Sequence, residues 1–189
     1  MSSRIRSYTL SIAGLVLVMA LGSYAQTRQT IQAQAFGQGT TAGRTFGVTI
    51  LIEDYSTPAD QKALIDAFKR GGHDEMIKVL SKMKSKGRVR LTSGGVGYQI
   101  AYIRNIPTAN GRTVRILTDR PINFGEAYAN TRSRDYDLSV IELKLSNDKK
   151  KSTGTLMPGV RVMVDKKKQQ IELETYNAMP YRLAAIMER

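Results

Sequence analysis

Residues 98–119 read YQIAYIRNIPTANGRTVRILTD, and this stretch decides the fold. Tyr98, Ile100 and Tyr102 alternate with Gln99, Ala101 and Ile103, Asn110-Gly111 is the dipeptide that fits a tight hairpin turn, and Val114 and Ile116 carry a return strand to Asp119. A period of two on both sides of so short a turn predicts antiparallel neighbours.

The same signal recurs outward in both directions. Phe46, Val48, Ile50 and Ile52 share one face of a segment rich in Val, Ile and Thr, the residues that suit a pleated surface. Val89 and Leu91 alternate with Arg88 and Arg90, and Ser93 to Gly97 turns the chain. Further upstream, Ile31, Ala33 and Ala35 alternate with Gln32 and Gln34 as a weaker first strand, with a flexible turn from Gly37 to Gly43. Downstream, Ile141, Leu143 and Leu145 oppose Glu142 and Lys144, and Val160, Val162 and Val164 lie between turns at Asn147-Asp148 and at Asp165 to Lys168. Ile171 and Leu173 alternate with Glu172 and Glu174, and Tyr181 to Met187 fits a strand or one short helix.

The period changes at Thr57. Thr57-Pro58-Ala59-Asp60 offers a capping hydroxyl, Pro at the first helical position and an acid three residues after the cap, the arrangement that satisfies the free N–H groups of a helix start. Leu64, Ile65 and Phe68 form its inward stripe, and Gly71-Gly72 ends it. A second helix from about Asp74 to Lys84 turns Met76, Ile77, Leu80 and Met83 inward, the methionines as core filler. The expected fold class is therefore α+β and mostly antiparallel β, with 8–9 strands in a barrel-like or sandwich meander and one αα-hairpin inserted after the second strand.

Residues 1–25 read as a signal peptide: Arg4 and Arg6 are a basic start, Leu10 to Leu21 an apolar core too short to span a bilayer, and Gly22-Ser23-Tyr24-Ala25 a small-residue cleavage site. Residues 26–43 form a Gln/Thr/Gly-rich segment with the weak strand, and 44–189 a single β-rich domain with the helical hairpin at 57–86. The expected location is exported, periplasmic or secreted, with no transmembrane segment after cleavage. A domain of this length buries ~70% of its unfolded surface, so it holds together without disulfides. The chain has no Cys, which removes thiol nucleophiles, thiolate metal sites and redox chemistry.

Lys and Arg number 29 against 16 Asp and Glu, a formal charge of +13. Such an excess speaks of polyanionic partners, not of fold. Outside the cytoplasm those are lipid head groups and envelope polymers, so no nucleic acid is expected. The lysine runs Lys149 to Lys151 and Lys166 to Lys168 lie at turns, where charge also blunts strand edges.

Catalytic templates fail by inventory. The one His, His73, makes neither a zinc site nor a triad by itself. Ser93-Gly94-Gly95-Val96-Gly97 lacks the Lys and helix of a phosphate loop, so it is a hairpin turn. Neither a metal nor another cofactor is indicated. The place for a site is Thr118 to Tyr136, where strand period stops for some twenty residues; loops of this length are usually functional or disordered. Arg120, Glu126, Tyr128, Arg132, Arg134, Asp135 and Tyr136 are the candidate ligand-binding residues, offering stacking surface and anion contacts. A salt-bridged closure of the barrel mouth, with Arg120, Arg132 and Arg134 against Glu126, Asp135 and Asp137, explains the same residues structurally.

Glu53-Asp54-Tyr55-Ser56, the helical pair, Asp119-Arg120-Pro121-Ile122 with Phe124, and Thr131-Arg132-Ser133 with Asp135-Tyr136 occur in an order that resembles exported bacterial proteins of unknown function. The resemblance implies bacterial export and a single domain and brings no functional residue with it. The leading expectation is a non-enzymatic domain that binds a small or amphiphilic ligand at its barrel mouth. The alternatives are a basic protein that docks on an anionic envelope surface, and a hydrolase using Glu126, Asp135 or Tyr128.

Overall fold

The computed structural model describes residues 28–92, 94–122, 137–165, 170–175 and 180–189. The strands are β1 (Gln29–Phe36), β2 (Thr45–Ile52), β3 (Gly87–Leu91), β4 (Tyr98–Thr108), β5 (Gly111–Thr118), β6 (Leu138–Ser146), β7 (Thr153–Asp165), β8 (Gln170–Thr175) and β9 (Tyr181–Glu188), and a helical segment α1 (Pro58–Leu80) joins β2 to β3. The sheet order is β6-β5-β4-β3-β2-β1-β9-β7-β8, and β6 also pairs with β7. That last pairing closes eight strands into a barrel, with every pairing antiparallel and β8 hanging from β7 outside the ring.

Alternation sets the inside. Ile31, Ile50, Val89, Ile100, Val114, Ile116, Ile141, Leu143, Leu156 and Leu183 are fully buried and pack as one cluster contributed by every strand of the ring. Eight strands leave an interior that side chains of this size can fill. Tyr181 completes the core at one end and meets Phe46 edge to face, with ring centroids 5.1 Å apart.

The first strand of the hairpin predicted over 98–119 departs from simple alternation. A register shift between Ile100 and Tyr102 marks a bulge. Two consecutive residues, Ala101 and Tyr102, therefore turn outward to the helix, while Ile103, expected on the opposite face to Ile100, joins it in the barrel. Likewise Tyr181 to Met187 is strand rather than helix, and the first strand is a full member of the ring, paired on both edges.

The helical segment starts as its sequence dictates. Thr57 accepts from the Asp60 N–H at 3.1 Å and Asp60 accepts from the Thr57 N–H at 2.8 Å. That geometry, with Lys86 Nζ at 3.5 Å, holds the Asp60 carboxyl below its usual range. Helical geometry breaks at Gly71 and Gly72, and the part beyond ends at Leu80 rather than at Lys84. Leu64, Met76 and Leu80 pack with Ala101, Tyr102, Leu138, Val140, Val160 and Val162 in a second core between helix and barrel. One side of the ring, from β4 to β7, is thus covered. The other, β9-β1-β2-β3, carries no such cover among the described residues.

Candidate functional site

The loop nominated by the sequence begins where β5 ends. Thr118 and Ser139, both fully buried, tie its two roots together: the Ser139 N–H donates to Thr118 Oγ1 at 2.9 Å, and Thr118 Oγ1 donates to the Arg120 carbonyl at 2.6 Å. Ser139 Oγ donates to the Pro158 carbonyl and accepts from the Ile122 N–H at 2.7 Å. These bonds satisfy backbone groups that the bulge between β6 and β7 leaves out of the ladder.

Of the seven nominated residues, Arg120 is described; Glu126, Tyr128, Arg132, Arg134, Asp135 and Tyr136 lie outside the described residues, as do Lys166 to Lys168. Arg120 lies over the Tyr98 ring, 5.4 Å from its centroid, and donates to the Gly97 carbonyl at 3.1 Å. Next to it, Asp119 Oδ1 is buried without a hydrogen-bond partner among the described residues, and burial pushes that carboxyl up against the opposing pull of Arg120 and of backbone N–H groups.

The far end of the barrel is closed by polar residues on interior positions. In an eight-strand ring β5 stands nearly opposite β9, so the bond from Arg112 to Glu188 (2.5 Å) crosses the opening. Arg112 also donates to the Tyr55 hydroxyl at 3.2 Å, which donates to Gln29 Oε1 at 3.1 Å, and Gln29 Nε2 returns to Glu188 at 2.7 Å. Four side chains make a closed circuit over an apolar core.

The bare side of the ring has a different character. Alternation turns Thr30, Gln32, Gln34 and Phe36 of β1, Thr45, Thr49 and Leu51 of β2, Arg88 and Arg90 of β3, and Arg182 and Met187 of β9 outward. Register aligns them in rows: Arg90, Thr49, Gln32 and Met187 form one, and Thr45, Phe36 and Arg182 another. Arg182 lies 5.6 Å from the centroid of the Phe36 ring. At ~4.8 Å between strands, the four-strand face is about 14 Å wide. Arginines stand at both edges, and no outward residue of its four strands is acidic.

Strand order alone brings these arginines together, yet a trace of the face exists in the sequence. No Asp or Glu occurs between Gln26 and Ile52, between Met76 and Thr118, or between Thr175 and Met187. Those acid-free runs contain β1, β2, β3 and nearly all of β9. Among the described residues no group of three or more His, Asp or Glu is placed to hold a metal ion, and no helix is long and apolar enough to cross a membrane. Comparison with protein-family models, curated proteins and solved structures gives no match.

Proposed function

We propose that this chain is an exported, non-enzymatic binding domain that docks on an anionic envelope surface through the outer face of β9-β1-β2-β3. The observation that carries the reading is the asymmetry of the barrel: the helical insert, which we take as an αα-hairpin, covers one side, and the opposite side is an acid-free sheet edged by Arg88, Arg90 and Arg182. Arg presents five donors in a planar fork, suited to sulfate, phosphate and carboxylate groups. Thr and Gln between the arginines add neutral hydrogen-bonding groups, and a packed barrel supplies the rigid backing.

Elution from an immobilised polyanion such as dextran sulfate tests this. Replacing Arg88, Arg90 and Arg182 with Glu lowers the salt needed for elution far more than the same charge change at Lys62, Lys69 and Lys78 on the helix. Equal losses from both sets mean that net charge alone drives retention, which overturns the reading.

A second reading, a small or amphiphilic ligand at the barrel mouth, draws on the orphaned Asp119 Oδ1 beside Arg120 and Tyr98. Replacing Asp119 with Asn abolishes a mass-detectable adduct of the native protein under that reading and leaves polyanion retention intact.

A further inference from the structure

We infer that the anionic surface is a lipid bilayer, entered by the tip of the β3–β4 turn; this rests on the docking face proposed above. Val96 stands on that tip with 78% of its surface exposed, the most open of the large apolar residues among those described. A single exposed Val is ordinary on a protein surface. What sets this one apart is its surroundings.

Arg88 donates to the Val96 carbonyl at 3.4 Å from one side, and Arg120 donates to the Gly97 carbonyl at 3.1 Å from the other. Arg90, exposed, leads into the turn from the same outward face of β3 as Arg88. Two guanidinium groups therefore flank the base of an apolar tip, and a third arginine leads into it. Each of the two bonded ones spends one N–H on the turn and keeps further donors for an outside acceptor.

The turn is also held firmly at its root. Thr92 donates its N–H to the Gly47 carbonyl at 2.9 Å, its hydroxyl accepts from the Gly47 N–H at 2.9 Å, and Gly94 bonds back to Leu91 at 3.2 Å. Tyr98 packs against the barrel core beneath the Arg120 guanidinium. These contacts anchor the flanks of the tip to β2 and to the barrel core.

An apolar tip above flanking cations matches the layering of an anionic bilayer. Phosphates lie at the level of the arginines, and hydrocarbon lies just beyond, where Val96 buries its side chain. A hydrophilic polyanion satisfies the arginines equally well but gives Val96 nothing to enter. Val96 is therefore the residue that separates the two partners.

The test sediments the protein with vesicles of phosphatidylglycerol and phosphatidylcholine in equal parts, with phosphatidylcholine vesicles as the neutral control, and measures dextran sulfate elution in parallel. We expect binding to the anionic vesicles only. Val96→Ser lowers that partitioning about tenfold, Val96→Phe raises it, and neither changes dextran sulfate elution. Unaltered vesicle binding by Val96→Ser overturns the inference. Retention on dextran sulfate with no vesicle binding also overturns it, while leaving the proposed function in place. Failure to bind either material brings down both.

Discussion

His73 Nδ1 accepts a hydrogen bond from the backbone N–H of Val162 at 3.1 Å, joining the break in the helical segment to the part of β7 that has left the barrel ring. Beyond Val160, β7 pairs among the described residues only with β8, so this imidazole caps a buried donor on the edge away from β8. Replacing His73 with Ala leaves the Val162 N–H buried without its partner and opens a void, and should destabilise the domain by about 2–3 kcal/mol in urea unfolding.

The same bond gives a pH dependence of definite sign. Nδ1 accepts only while unprotonated, and burial holds the His73 pKa below its ordinary 6.5 against the opposing effect of Asp137, whose Oδ2 lies 3.8 Å from Nε2; Arg161 adds to the lowering and Asp74 opposes it. As pH falls below 6.5 the unfolded chain takes up the proton first, so stability declines until the lower folded pKa is passed. His73→Gln, whose side-chain oxygen can accept from Val162, should lose that slope. Melting temperatures from pH 7.5 to 5 check it: the native protein should fall more steeply than the variant.

At the closed end, Arg112 is bonded to both Glu188 and Tyr55. These side chains are about three-quarters buried, so the pair exceeds a surface salt bridge without reaching the cost of a dry one. Arg112→Ala should lower stability by about 1–2 kcal/mol. Arg112→Lys should recover only part of it, because one ammonium cannot replace the fork. A double variant with Glu188→Gln should lose less than the sum of the single losses.

Gly87 opens β3 at φ 152°, where a Cβ would stand 2.0 Å from the Leu51 carbonyl oxygen on the paired strand. Gly87→Ala should therefore either prevent folding or cost upwards of about 3 kcal/mol, measured by denaturant unfolding. The Gly-Arg pairs that begin β3 and β5 share this close approach, since a Cβ on Gly111 would stand at the same distance from the Leu145 carbonyl oxygen.

Much of the barrel was legible because its cause is local. Phe46, Val48, Ile50 and Ile52 alternate, Asn110-Gly111 turns, and Thr57 and Asp60 cap, each within a few residues. Closure was not legible, because it depends on β9 finding β1 across most of the chain. Nor was the reversal at Ala101 and Tyr102, which follows from a one-residue bulge that composition does not announce. The structural role of His73 was not legible because its partner, Val162, is 89 residues away. Of the nominated loop site the structure places Arg120; the proposed docking face was missed because Arg88 and Arg90 on β3 are separated from Arg182 on β9 by most of the chain.

Under the proposed function the bare face, and not the helical side, meets the anionic partner. The chain has no Cys, so a single engineered thiol carries a fluorophore at one chosen point. Thr49→Cys places it in the middle of the face, and Ile65→Cys places it on an exposed position of the helix. On saturation with dextran sulfate at low salt, quenching by a neutral aqueous quencher such as acrylamide should fall severalfold at position 49 and remain unchanged at position 65. Protection at 65 alone, or equal protection at both positions, would contradict the account.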